Sequence, residues 1–73
     1  SQQLPTMEKA KLCAVLADFT FKGRSEQMLS VRDEIFRRNL DTDRDCRVVY
    51  TARMNALAPG RTMPAWEVVV ARN

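Results

Sequence analysis

The sequence predicts an α+β domain in which two helices pack on a C-terminal antiparallel β-hairpin. Apolar residues recur at helical spacing from Met7 to about Phe19, and again from Glu26 to about Leu40. Apolar and polar residues alternate from Cys46 to Met54 and from Trp66 to Arg72, as strands do. A turn signal, Pro59-Gly60, lies between the two alternating runs.

The elements follow in chain order. Residues 1–5 are expected to fray. Thr6 can cap the first helix, with Glu8 in the first turn, where a negative charge suits the helix dipole. Leu12, Val15, Leu16 and Phe19 then form one apolar stripe, with Ala10, Ala14 and Ala17 on the other side. Phe19-Thr20-Phe21 alternates and reads as a short extended piece. Gly23 tolerates the left-handed turn that ends helices, and Ser25 can cap the next one. The second helix carries two stripes: Met28, Val31 and Ile35, then Leu29, Phe36 and Leu40. A helix with two apolar stripes touches two neighbours, here the first helix and the sheet.

Asp41 to Asp45 reads as a polar turn. In the first strand, Val48, Tyr50, Ala52 and Met54 point one way, and Arg47, Val49, Thr51 and Arg53 the other. In the second, Trp66, Val68 and Val70 share a face. A loop of about eleven residues between them favours an antiparallel pair, because a parallel one needs a crossover.

A chain of 73 residues makes one domain, 1–73. A domain of that size buries only about 60–65% of the surface its unfolded chain exposes. No apolar run approaches the roughly 20 residues that span a bilayer. Ser1 to Thr6 holds no basic region followed by an apolar stretch, so no signal peptide is read there. Cys13 and Cys46 are too few for a disulfide framework. The favoured reading is two partly buried thiols in a reducing cytoplasm, ahead of a Cys13–Cys46 bridge or a reactive thiol.

The chain has no histidine, and so lacks the commonest general base and zinc ligand. Asp41, Asp43 and Asp45 copy the first three ligand positions of a calcium loop. Cys46 then stands where that loop needs glycine, and Ala52 where it needs a bidentate glutamate. No spacing singles out two of Glu8, Asp18, Asp33, Glu34 and Glu67 as an acid–base pair. Ser25 and Ser30 have no recognisable activating partner. Gly23 and Gly60 cannot make a phosphate-cradling loop. The expectation is a protein that binds and does not catalyse, with no cofactor and no metal.

Net charge is +3. Arg24, Arg32, Arg37, Arg38, Arg44, Arg47, Arg53, Arg61 and Arg72 outnumber Lys9, Lys11 and Lys22. Arginine pairs with carboxylates and phosphates alike and is enriched in protein interfaces. The arginine codons of a GC-rich genome explain the same bias equally well. Arg37 and Arg38 suit the negative end of the second helix, and with Lys22, Arg24, Arg44, Arg47, Arg53 and Arg61 they could form a phosphate-binding face. Trp66 and Met54 are expected on the inner face of the hairpin. Met63, between Thr62 and Pro64, is expected to be an exposed contact.

The segment Met7-Glu8-Lys9-Ala10-Lys11-Leu12-Cys13, with the short arginine-biased chain, resembles the small RNA polymerase-binding transcription regulators of bacteriophages, of which a Xanthomonas phage carries one. That resemblance implies a protein of the host bacterial cytoplasm that binds RNA polymerase, inhibits initiation and promotes antitermination. It assigns no contact residue. The residues themselves nominate Lys22, Arg24, Arg37, Arg38, Arg61 and Met63 for partner binding, with Leu4 and Met7 adding apolar contact. The expected state is a monomer without membrane contact and with possible nucleic-acid contact. One alternative is a DNA-binding repressor of winged-helix type, with the hairpin as its wing. Another is self-assembly through the hairpin's free edge.

Overall fold

The computed structural model describes residues 3–72, and every regular element among them is helical. A single 3₁₀ turn, Leu4–Thr6, leads into α1 (Lys9–Lys22), α2 (Ser25–Arg37), α3 (Arg44–Leu57) and a one-turn α4 (Trp66–Val69). None of these helices is long and apolar enough to cross a membrane.

The expected hairpin is therefore absent, and the α+β class is replaced by an all-helical one. In the run read as the first strand, the buried residues are Cys46, Tyr50 and Met54, followed by Ala58. A strand face would also bury Val48 and Ala52, which lie between them in a two-residue alternation, but both are exposed, so the run is the buried face of a helix. Val48, assigned to the inner face of a strand, is 56% exposed. The start of α3 is fixed by Asp43, whose carboxylate accepts the Cys46 N–H at 3.0 Å. The acidic segment read as a plain turn thus contains a helix N-cap. Likewise Trp66, Val69 and Val70 are buried while Val68 is 69% exposed, a spacing of three and four that suits α4. With no strand among the described residues, neither a wing nor a free sheet edge is present there, so DNA binding or self-assembly cannot use the hairpin expected for it.

α1 and α2 end in the same way. Arg24 N–H bonds to Phe19 C=O and Gly23 N–H to Thr20 C=O, with Gly23 at φ 69°. Leu40 N–H bonds to Ile35 C=O and Asn39 N–H to Phe36 C=O, with Asn39 at φ 57°. Both are Schellman closures, which need a left-handed residue; glycine takes that conformation freely and asparagine more readily than most. The expected stop at Gly23 stands. Phe19-Thr20-Phe21 is not extended but forms the last turns of α1. Thr6 does not cap α1, since its hydroxyl donates to Gln3 C=O. Ser25 is the first residue of α2 and not its cap.

α1 is the central helix, packed on α2 along one side and α3 along the other. Leu12, Cys13, Leu16 and Ala17 are fully buried. Lys9 pairs with Asp43 at 3.3 Å, Cys13 bonds to Cys46, and Asp18 pairs with Arg53 at 2.7 Å. The partner numbers rise together, so α1 and α3 run parallel, and the 38–43 connection brings the chain back to the start of α1. The two cysteines form a disulfide and are not free thiols. At 0% and 1% exposure they lie inside the core.

The N-terminal segment is ordered from Leu4. Arg38 donates to Leu4 C=O at 2.7 Å, and Met7 is buried against the core. Of the residues expected to fray, 1 and 2 lie outside the described residues. Arg38 and Arg37 both bond the carboxylate of Glu34, which is buried on α2. Hydrogen bonds from Arg37 first, then from Arg38, lower the Glu34 pKa to about 2, against an ordinary 4.5. A carboxylate whose pKa falls on folding stabilises the fold above its unfolded pKa and loses that contribution as pH falls through the folded one. Glu34→Gln should therefore melt below the parent protein at neutral pH. Thermal melts across the acid range should show that gap closing between about 4.5 and about 2. A gap independent of pH would refute the ion pair.

Candidate partner-binding groove

After α3 the chain turns at Pro59-Gly60 and runs back along that helix. Gly60 has φ 74°, and Arg61 N–H bonds to Ala58 C=O at 3.2 Å, as the expected type II turn requires. The returning segment is pinned by the Tyr50 hydroxyl, which donates to Pro64 C=O at 2.7 Å. It is pinned again by the Trp66 indole N–H, which donates to Asp41 C=O at 3.1 Å. The Tyr50 and Trp66 rings lie 5.6 Å apart at a tilted angle. Burial pushes the Tyr50 phenol above its ordinary pKa, and the neighbouring Thr20 hydroxyl works against that shift. Arg72 closes the C-terminal end with a two-pronged contact to Asp41 at 2.8 and 2.9 Å.

Between α3 and the returning segment lies a groove of about 390 Å³. Its floor is Tyr50, Met54 and Trp66. One wall carries Arg47, Thr51 and Asn55, four residues apart on one stripe of α3. Arg61, Thr62 and Met63 stand on the opposite wall, and Glu67 is the only carboxylate. A second depression, between α1 and α2, is lined by Leu4, Val15, Phe19, Gln27, Ser30 and Val31 and carries no charge. Among the described residues no three His, Cys, Asp or Glu side chains gather as a metal would need.

The nominated contact residues divide between two ends of the molecule. Lys22 and Arg24 are exposed at the α1–α2 turn. Arg61 joins them, its guanidinium 5.6 Å from the centre of the Phe21 ring. Arg37 and Arg38 lie at the far end of α2 with their charges answered by Glu34. Arg38 serves to hold the N-terminal turn, and Arg37 remains exposed. Met63 is half-buried against the core and lines the groove, so it is not the free contact expected. Met7 is buried too, and only Leu4 of that pair borders a surface depression. Trp66 is in the core as expected, at 3% exposure. Reading α3 as a strand put Arg47 and Thr51 on one face with Val49 and Arg53 and left Asn55 in the loop. On the helix Arg47, Thr51 and Asn55 line the groove together, while Arg53 turns away to pair with Asp18.

The groove is rich in donors and poor in acceptors. Its one buried hydroxyl, on Tyr50, already donates to the main chain, and Glu67 is the one carboxylate on its lining. The arrangement suits holding a ligand. No family model, no curated protein and no solved structure matches this chain.

Tyr50→Phe should lower stability by about 1 kcal/mol, because the Pro64 carbonyl loses its donor. Urea unfolding measures that loss. Trypsin should cut faster after Arg61 in the variant, because the segment is then held from one end only. Unchanged cleavage would show that the hydroxyl does not hold the groove wall.

Proposed function

We propose that the protein acts by binding and not by turnover, and that it holds a protein partner in the groove between α3 and residues 58–65. One observation carries this reading: Arg47 and Arg61 stand on opposite walls of the groove with no carboxylate partner among the described residues. Lys9, Arg37, Arg38, Arg53 and Arg72 are paired, and the other cations unpaired among the described residues, Lys11, Lys22, Arg24, Arg32 and Arg44, do not line the groove. Unpaired arginines beside aromatic and methionine side chains are the composition of a contact surface.

The partner implied by the resemblance to small phage regulators is bacterial RNA polymerase, bound in the cytoplasm to inhibit initiation or promote antitermination. That identity rests on the resemblance alone. Purified polymerase, incubated with the tagged protein after nuclease treatment, should be retained. Retention should fall for the double variant Arg47→Glu/Arg61→Glu. Equal retention by the variant would remove the groove from the interaction, and no retention would remove polymerase.

A further inference from the structure

Granted that the groove is the contact surface, we infer that its occupant is an extended acidic segment of a protein. The first ground is charge. Arg47 and Arg61 against Glu67 leave the groove a net positive charge with both cations exposed. The second is an unused set of donors. Among the described residues, the Thr51 hydroxyl, the Asn55 amide and the Thr62 hydroxyl make no side-chain hydrogen bond, and the backbone N–H groups of Thr62, Met63 and Ala65 have no backbone partner. Residues 62–65 form neither helix nor turn, and Ala65 has the backbone angles of an extended chain. A peptide laid beside them can use one edge of that segment, on which alternate residues such as Met63 and Ala65 present their N–H groups, as it would the edge of a sheet, although Pro64 keeps the pairing short.

The third ground is spacing. Along α3, Arg47, Thr51 and Asn55 follow one another at about 6 Å, four helical rises of 1.5 Å. Alternate side chains of an extended peptide follow at about 6.6 Å, two strand rises of 3.3 Å. Successive residues of the stripe can therefore meet every second side chain of the peptide, and the donors face its carboxylates. The remaining side chains point elsewhere and carry no requirement. A helical ligand would present its side chains in a broader stripe and would leave the 62–65 main-chain donors unmet.

The probe is a fluorescein-labelled decapeptide of alternating glutamate and leucine, with glutamine in place of glutamate as control. Fluorescence anisotropy should show the glutamate peptide binding, and more weakly as salt rises. Arg47→Glu/Arg61→Glu should weaken it by at least about tenfold. Lys11→Glu/Arg37→Glu makes the same charge change at exposed cations that do not line the groove and should alter it by no more than about twofold. Circular dichroism establishes that each variant is folded. Should the reversal disturb the fold, Thr51→Ala/Asn55→Ala serves instead, since both side chains are exposed, and it should lose several-fold.

Equal binding of the glutamine peptide overturns the proposal, as does equal loss in the two charge-reversed variants. A labelled DNA duplex that binds with the same dependence on the groove, while the glutamate peptide does not, also overturns it. In any of these cases, loss of polymerase capture by the groove variant keeps the groove as a contact surface and removes only the acidic chemistry.

Discussion

Replacing Trp66 with alanine is expected to lower stability by about 3–5 kcal/mol, the cost of emptying a buried aromatic site. A domain of this length holds about 4–11 kcal/mol in all, at the usual stability per residue. The variant therefore gives up between about a quarter and the whole of that total, and its urea midpoint should fall sharply. Trp66 is 3% exposed, packs its ring 5.6 Å from that of Tyr50, and donates to the Asp41 carbonyl. It thus ties the end of the chain to the α2–α3 connection, and its loss also removes the groove floor. Trp66→Phe separates the two contributions. It keeps much of the ring and loses the N–H, so it should cost less than alanine, with about 1 kcal/mol of the loss owed to the missing bond. Far-ultraviolet circular dichroism in urea reads all three proteins, which matters because Trp66 is the chain's single tryptophan and its fluorescence goes with it. A Trp66→Ala protein with the parent's urea midpoint would show that the C-terminal segment does not belong to the cooperative unit.

The first half of the fold was legible because its signals agree. The stripe of Leu12, Val15, Leu16 and Phe19 and the break at Gly23 point to the same helix and the same stop. In the second half two periods compete. Cys46 to Met54 alternates in composition, and Val48, Val49, Tyr50 and Thr51 all favour strands. Yet the same stretch places Cys46, Tyr50 and Met54 four apart, and tertiary packing on α1 chooses that period. The deciding local signal was Asp43, which reads as a turn residue until its carboxylate is seen on the Cys46 amide. The site suffered from the same error. Charge counting singled out Arg61 together with Arg37 and Arg38, because a sequence does not show that Glu34 pairs with the last two. Arg47 was visible as a cation and shared a face with Thr51 even on a strand, but only the helix carries that face on to Asn55 and turns Arg53 away to Asp18.

Reducing the Cys13–Cys46 bond should lower stability by about 3.7 kcal/mol, the loop-closure entropy for a separation of 33 residues. The bond joins the second turn of α1 to the first turn of α3, so it constrains the pair of helices that share the largest interface. The ion pairs on either side, Lys9–Asp43 and Asp18–Arg53, reach solvent and do not substitute for it. Both sulfurs are buried, so reductant must wait for the core to open, and the rate of reduction should rise with urea. Urea midpoints of the oxidised protein, of the protein reduced while unfolded, and of Cys13→Ala/Cys46→Ala measure the effect. Coincident midpoints would refute it. The consequence reaches function through the compartment. A polymerase-binding regulator works in a cytoplasm whose thiol pool keeps cysteines reduced. There the chain must hold its groove on packing alone, with that much less of a small total. If the reduced protein unfolds in buffer without urea, the polymerase assignment fails on stability alone. If it stays folded and retains polymerase, the groove is independent of the bond, and binding measured with and without reductant should then agree.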